Sequence, residues 1–291
     1  MIRTPITHRS RIILGVVSLV VLALSYTWLS YRQHQKNPRD TTIPTWTQLW
    51  GGVKKICTPD IRKPFVYGDD TAEPAAEPTG LAWLKRAITS TMLWQDASAT
   101  FVRHFSGLAV GVLLSVVVGL AMGCYAPAEA FFLPPLSFLA KVPPTAIMAV
   151  FFVVVGLNFQ MYVAMIAFGV LPTLAQAIYQ AARNDVPEEL VFKAYTLGAS
   201  HVELIWNVIY KQVLPRIIEA VRLQVGPAMV YLIAAEMLVA SAGFGYRIRM
   251  EQRLTHMDVV YVYLVILGLV GYLMDFSLSW LRKTLCPWFG K

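Results

Sequence analysis

The sequence predicts an all-α protein that crosses a membrane about six times, and three observations carry that prediction. Of the 291 residues, 56% are hydrophobic and only 14% are charged, where a soluble domain carries about a quarter charged residues. The apolar residues come in uninterrupted blocks long enough to span a bilayer. The basic residues sit mostly at the ends of those blocks and in the connections, where membrane proteins keep them.

That placement also accounts for the net charge of +8. No zinc-ligand spacing, aromatic–basic strip or helix-turn-helix context accompanies the charge, so the expected partner is lipid and not nucleic acid.

The first block, residues 12–31, follows Arg3, Arg9 and Arg11. It is longer than a secretory signal core and is followed by YRQHQK, not a small-residue cleavage site, so it reads as a retained span. Residues 32–98 mix Pro, Gly and both charge signs and read as a long polar connection, helical in part near 81–94 and otherwise loop. Five further spans are expected at 101–123, 131–156, 159–179, 217–240 and 259–281. The second of these contains Lys141 and Pro143–Pro144 and is expected to be broken or kinked. The units are therefore 1–31 (N-terminus and first span), 32–98 (connection), 99–285 (helical core, with a loop over 180–216) and 286–291 (tail).

Orientation follows from the bases. With the N-terminus inside, the cytoplasmic pieces hold ten of them (Arg3, Arg9, Arg11, Arg183, Lys193, Lys211, Arg216, Arg282, Lys283 and Lys291) against three, Arg247, Arg249 and Arg253, in the last outer loop. Both termini are expected in the cytoplasm and 32–98 outside. Cys57 then lies outside while Cys124 and Cys286 lie near the inner face, and no disulfide is expected among them.

Gly107, Gly111, Ser115, Gly119 and Gly123 recur every four residues along the second span. Such a stripe lets another backbone approach closely, which is how membrane helices associate. No internal repeat is visible, so inverted-repeat secondary transporters find no support.

The stretch NDVPEELVFKAYTLGASHVELI (184–205) is polar and capped although it lies between apolar blocks. Asp185 reads as an N-cap, with Pro187 in the first turn and Glu188 at the capping-box position. Leu190, Val191, Ala194 and Leu197 share one face, and Gly198 suits a left-handed C-cap. Ser200-x-x-Glu203 is a second capping box. Val202, Ile205, Trp206, Ile209 and Val213 line one side of the helix it opens, until Leu214–Pro215 ends that helix or introduces the next span. The pair is too short and polar to span and too short to stand alone. It docks on the protein's own spans or offers a socket to a cytoplasmic partner, and the residues by themselves leave both readings open.

Resemblance decides between them. KAYTLGAS, followed by a Leu-Pro pair sixteen residues after the glycine, resembles the loop that defines permease subunits of binding-protein-dependent ABC importers. LAKVPPTAIMAVFFVVVGLN, AAEMLVASAGFGYRI and MDVVYVYLVILGLVGYLMD resemble segments of the nitrate/sulfonate/taurine/bicarbonate branch, and the likeness covers about residues 98–288. It implies a type I ABC importer permease fold in a bacterial plasma membrane, acting as a homodimer with cytoplasmic ATPase subunits and an extracytoplasmic substrate-binding protein. ATP and Mg would be bound by the ATPase subunit, and this chain would carry no cofactor. Glu189, Phe192, Lys193, Ala194, Gly198, Ala199, Ser200, Glu203, Leu214 and Pro215 would form the ATPase-coupling loop. The family's Glu-Ala-Ala falls at Phe192-Lys193-Ala194, and its first Leu-Pro pair at Tyr210-Lys211. The glutamate's contacts therefore do not carry over, and Lys193 either meets an acidic partner or is solvated.

No Walker A sequence, His-Glu-x-x-His, Cys-x-x-Cys or Gly-x-Ser-x-Gly occurs. The chain is expected to have no catalytic and no metal site. Ionisable residues inside spans are functional candidates. Arg222 reaches the inner interface, and Asp275 pairs with Arg282 or a neighbouring subunit. Glu236 structures the Gly243–Gly245 turn or faces the pathway, and Lys141, beside Pro143, faces a pore or the cytoplasm. Arg247 and Arg249, with Arg253, flank the presumed mouth, where they steer anions or meet a binding protein or lipid headgroups. The alternative to an importer is a stand-alone channel or secondary transporter for a small anion, and a membrane scaffold is a third class.

Overall fold

In the computed structural model, which describes residues 8–37, 40–58 and 91–289, the first apolar run forms α1 (His8–Lys36). Its apolar side chains are exposed over most of its length, and it is tied down at its C-terminal end. There the Tyr26 hydroxyl donates to the Pro44 carbonyl at 2.6 Å, and Trp46 Nε1 donates to Thr27 Oγ1 at 3.0 Å.

The connection after it is not all loop. It contains α2 (Trp46–Cys57), opened by a capping box in which Thr45 and Gln48 exchange side-chain bonds. Gly51 and Gly52 hide this helix from a propensity reading. The second glycine is there for packing, since a Cβ on Gly52 would lie 2.8 Å from the Asp258 carbonyl oxygen. Residues 81–90 of the segment expected to be helical lie outside the described residues, and the rest belongs to the next helix.

That helix, α3 (Met92–Cys124), is capped by Thr91, which accepts from the Trp94 amide, so it starts well before residue 101. The segment 131–156 does not form one span. It is split into α4 (Ala126–Leu139) and α5 (Met148–Val154) around a non-helical stretch at 140–147 that holds Lys141, Pro143 and Pro144. Proline cannot donate to an i−4 carbonyl, so Pro143 and Pro144 leave two amide positions of the ladder empty at the break, whereas Pro134 and Pro135 are accommodated inside α4. Then come α6 (Phe159–Asn184), α7 (Glu188–Thr196), α8 (His201–Val239, with a π-helical stretch at Leu204–Ile209), α9 (Phe244–Arg253) and α10 (Met257–Leu285). Among the described residues, five helices, α1, α3, α6, α8 and α10, are long and apolar enough to cross a membrane.

The centre of the fold is the pair α3 and α6, which run parallel along the small-residue stripe. A Cβ at Gly107 would lie 2.7 Å from Ile166 Cβ, one at Gly119 2.8 Å from the Ala175 carbonyl oxygen, and one at Gly123 2.5 Å from Ala182 Cβ. Buried Ser115 bonds back to the Gly111 carbonyl at 2.6 Å, which satisfies its hydroxyl in the seam. α8 packs against α6 through residues that include Val213, Ile217, Val221, Val225, Ala228 and Leu232, and also touches α3. A second apolar cluster, Ile56, Phe244, Ile248, Val259, Val260 and Tyr263, joins α2, α9 and α10 at the other end of the bundle from the α7–α8 elbow.

Candidate functional site

The α8–α9 turn is built around Glu236. Its side chain is fully buried, and Arg103 Nη1 donates to it at 2.8 Å, Thr100 Oγ1 at 3.0 Å and the Gly245 amide at 3.0 Å. Arg103 also donates to the Ala242 carbonyl at 2.7 Å and lies over the Tyr162 ring at 4.4 Å. Beside it, the equally buried Asp96 accepts from the Gly243 amide (3.1 Å), Arg247 Nε (2.8 Å) and the Tyr263 hydroxyl (2.8 Å). Thr100 links the halves, because its oxygen accepts from the Phe244 amide at 2.9 Å. Two carboxylates and two guanidiniums thus neutralise one another with their hydrogen bonds filled, the condition under which buried charge is tolerated. Burial works against the Arg247 charge, and the bond to Asp96 more than restores it, leaving its pKa raised.

Of the two readings open for Glu236, these contacts are the ones a residue that structures the Gly243–Gly245 turn would make. Arg247 is likewise committed to Asp96. Arg249 donates to the carbonyls of Met237 and Leu238 at the end of α8. Both guanidiniums bond within the turn, Arg247 to a carboxylate and Arg249 to backbone carbonyls alone.

Sequence reasoning missed Asp96, Thr100, Arg103 and Tyr263. A signal existed: Asp96, Thr100 and Arg103 continue the four- and three-residue spacing backward from Gly107. It was obscured because residues up to 98 read as polar connection.

At the opposite end, α7 begins after Pro187, not after Asp185. The Asp185 carboxylate is drawn away to Arg216 at 3.1 Å. α7 ends in a left-handed Gly198 (φ +83°), where the Ala199 amide reaches the Ala194 carbonyl at 3.0 Å and the Gly198 amide reaches Tyr195 at 2.9 Å. Ser200 then opens α8 with both bonds of its capping box to Glu203. Leu214–Pro215 does not end this helix, and α8 continues through Pro215 into the membrane-length part.

Val191, Ala194, Leu204, Ile205 and Ile209 face the core, while Phe192 (65% exposed), Leu197 (87%), Val202 (75%) and Trp206 (61%) face out. Each apolar face read from periodicity is thus divided: Val191, Ala194, Ile205 and Ile209 meet the core, while Leu197, Val202 and Trp206 stay exposed. Lys193 and Glu189 are exposed, with their charges 3.9 Å apart.

Ion pairs tie the elbow end together. Arg216 bonds Asp185 and Glu219, Arg282 bonds Glu219, and Arg183 bonds Glu129 at 2.6 Å. Asp275 pairs with Arg222, not with Arg282, whose guanidinium is held by Glu219. Lys141 lies in the 140–147 break with its side chain exposed and, among the described residues, without a bonded partner.

The family model for the binding-protein-dependent transport system inner membrane component matches residues 111–287. The chain belongs to that family. It is a permease subunit, a membrane transport component of a binding-protein-dependent ABC transporter. It is 26% identical over 199 residues to the taurine transport system permease protein TauC of Escherichia coli (68% of this chain, 72% of TauC). A probable ABC transporter permease protein of Brucella melitensis is 30% identical over 208 residues (70% and 84%). A putative aliphatic sulfonates transport permease protein of Bacillus subtilis is 26% identical over 204 residues (70% and 74%). The fold is that of the MetNI methionine ABC transporter in inward-facing conformations, with a TM-score of 0.55 over 67% of this chain and 94% of that one at 18% identity. Membership of this permease family implies ATPase and substrate-binding partners and an inner-membrane location.

Proposed function

We propose that two copies of this permease form the translocation unit of an importer for a small oxyanion of the sulfonate class. Each copy seats an ATPase subunit on its elbow, and an external binding protein delivers cargo at the end that carries the Glu236 turn. α8 is the observation that carries the reading. A single helix of 39 residues, about 58 Å at about 1.5 Å per residue, bears the elbow's second arm at one end and Glu236 at the other. A displacement of the elbow is thereby delivered to the turn as a rigid-body movement. The energy comes from ATP, with Mg, hydrolysed on the partner subunit.

The outward apolar face of the elbow supports the docking role, since an exposed cluster of Phe192, Leu197, Val202 and Trp206 gains most from being covered. α1 starts and α10 ends on the elbow side, so a cytoplasmic elbow puts both termini in the cytoplasm. The substrate class rests on the relatives, whose names specify taurine and aliphatic sulfonates.

Co-purification with the ATPase subunit tests the reading. The wild-type chain is expected to retain it, while Leu197→Asp and Gly198→Pro lose it. Retention by both variants sinks the elbow assignment. A screen of the partner binding protein against taurine, ethanesulfonate, nitrate and bicarbonate tests the cargo, and binding of none of them refutes the oxyanion class.

A further inference from the structure

The break at 140–147 lies at membrane depth. α4 runs antiparallel to α6: Glu129 meets Tyr179 and Arg183 at 2.6 Å, Leu136 clusters with Ala175, and Pro144 Cγ is 3.1 Å from where a Cβ on Gly169 would be. Lys141 is bracketed between the levels of Ala175 and Gly169. Those levels lie eight and fourteen residues before Arg183, about 12 to 21 Å at about 1.5 Å per residue. That is well inside a hydrocarbon core of about 30 Å. The four-carbon stem of a lysine is too short to carry its ammonium to the nearer surface from there.

Arg103, Arg183, Arg222 and Arg282, on the long helices of the bundle, each hold a carboxylate: Glu236, Glu129, Asp275 and Glu219 in turn. Lys141 holds none among the described residues. An unpaired charge and non-helical backbone at this depth are tolerated where they line a water-filled cavity. The neighbouring stretch of α8 has the same character. Tyr231 of α8 abuts the Gly169 position, with Cδ2 2.5 Å from it, beside Pro144. One turn away, Pro227 leaves the Leu223 carbonyl without an amide donor, and both Gly226 and Pro227 are exposed.

We propose that Lys141 is the cationic residue that receives the anionic group of the cargo midway through the membrane, with the broken segment and the Tyr231 face of α8 as the walls of that site. The assignment rests on the oxyanion reading above. Lysine suits a transit site, because its ammonium is a point charge on a flexible stem that attracts a sulfonate or comparable monoanion without a fixed bidentate grip. Binding of this kind is strong enough to admit the ion and weak enough to release it.

The test uses the whole importer, permease with ATPase subunit and binding protein, reconstituted in proteoliposomes. Labelled taurine and ethanesulfonate are the probes, and ATPase stimulation by the loaded binding protein is measured alongside. Lys141→Met is expected to lower uptake of both at least tenfold while stimulation stays within twofold, and Lys141→Arg to stay within threefold of wild type. Wild-type uptake by Lys141→Met overturns the assignment and leaves the oxyanion reading standing. A wild-type importer that moves neither probe, yet shows ATP-driven uptake of an uncharged solute, overturns the oxyanion reading and the assignment with it. If Lys141→Met fails to assemble, Lys141→Cys in a background with Cys57, Cys124 and Cys286 replaced by serine decides. Labelling by a membrane-impermeant charged thiosulfonate in one nucleotide state supports a water-filled site, and protection in every state contradicts it.

Discussion

A Cβ on Gly243 would lie 2.6 Å from the Glu236 carboxylate, because the turn that joins α8 to α9 is wrapped around that side chain. The glycine also sits at φ +127°, a conformation L side chains rarely adopt. Gly243→Ala is therefore expected to fail twice, by contact and by backbone strain, and to abolish transport with a clear loss of thermal stability in detergent. Stability within a degree of wild type would show that the turn rearranges freely.

Removing one member of the buried quartet leaves its partner charged and unpaired, which costs about 3–5 kcal/mol. Arg103→Met strands Glu236, and Glu236→Gln strands Arg103. Each alone is expected to lower the denaturation midpoint sharply. The pair together is expected to cost less than the sum, since neither then leaves an isolated charge. Additive losses in a double-mutant cycle would show that the two do not act as a unit.

Gly198 makes the contrasting case. Nothing lies within 4 Å of a Cβ there, but φ is +83°. Gly198→Ala is expected to cost only the left-handed strain, about 1–2 kcal/mol, and Gly198→Asn less, because asparagine tolerates this region. Partial loss of ATPase-subunit binding in that order is the expected readout from co-purification.

The α3–α6 seam separates crowded from open glycines. Gly119→Ala places a methyl 2.8 Å from backbone and from Ile178, whereas Gly226→Ala meets open space within α8. The first is expected to lower expression and thermal stability, and the second to leave both unchanged. Equal behaviour of the two would mean that the stripe is not a packing surface.

α2 is latched by Glu251, which bonds Lys55 at 3.2 Å and His256 at 2.8 Å. Burial raises the Glu251 pKa, but the bonds from His256 and Lys55 outweigh it and leave the value lowered. A lowered carboxylate stabilises above its unfolded pKa, near the ordinary Glu range of about 4.3, and loses that contribution as pH falls through its folded value. Amide exchange in α2 is expected to keep its protection down to that range and to lose it below. Protection in α2 that survives unchanged well below that range would show that Glu251 does not latch the helix.

Much of this arrangement was legible in the residues. The small-residue stripe, the Ser200–Glu203 capping box, the left-handed Gly198 and the break at Pro143–Pro144 are all local signals, and local chemistry decides them. What escaped was set by tertiary contact. Asp96 looks like a loop acid until Gly243, Arg247 and Tyr263 are brought to it from the far end of the chain. Asp185 would cap a helix had Arg216 not claimed it. Periodicity grouped Leu197, Val202 and Trp206 with residues that meet the core, because spacing measures which residues share a face and is silent on which part of that face the protein's own core covers.

ATP-dependent uptake of labelled taurine or ethanesulfonate by proteoliposomes containing this permease, its ATPase subunit and its binding protein tests the central claim most directly. Uptake that requires all three components and ATP, and that Leu197→Asp abolishes, is the predicted result. Uptake by the permease alone, without ATP, would contradict it.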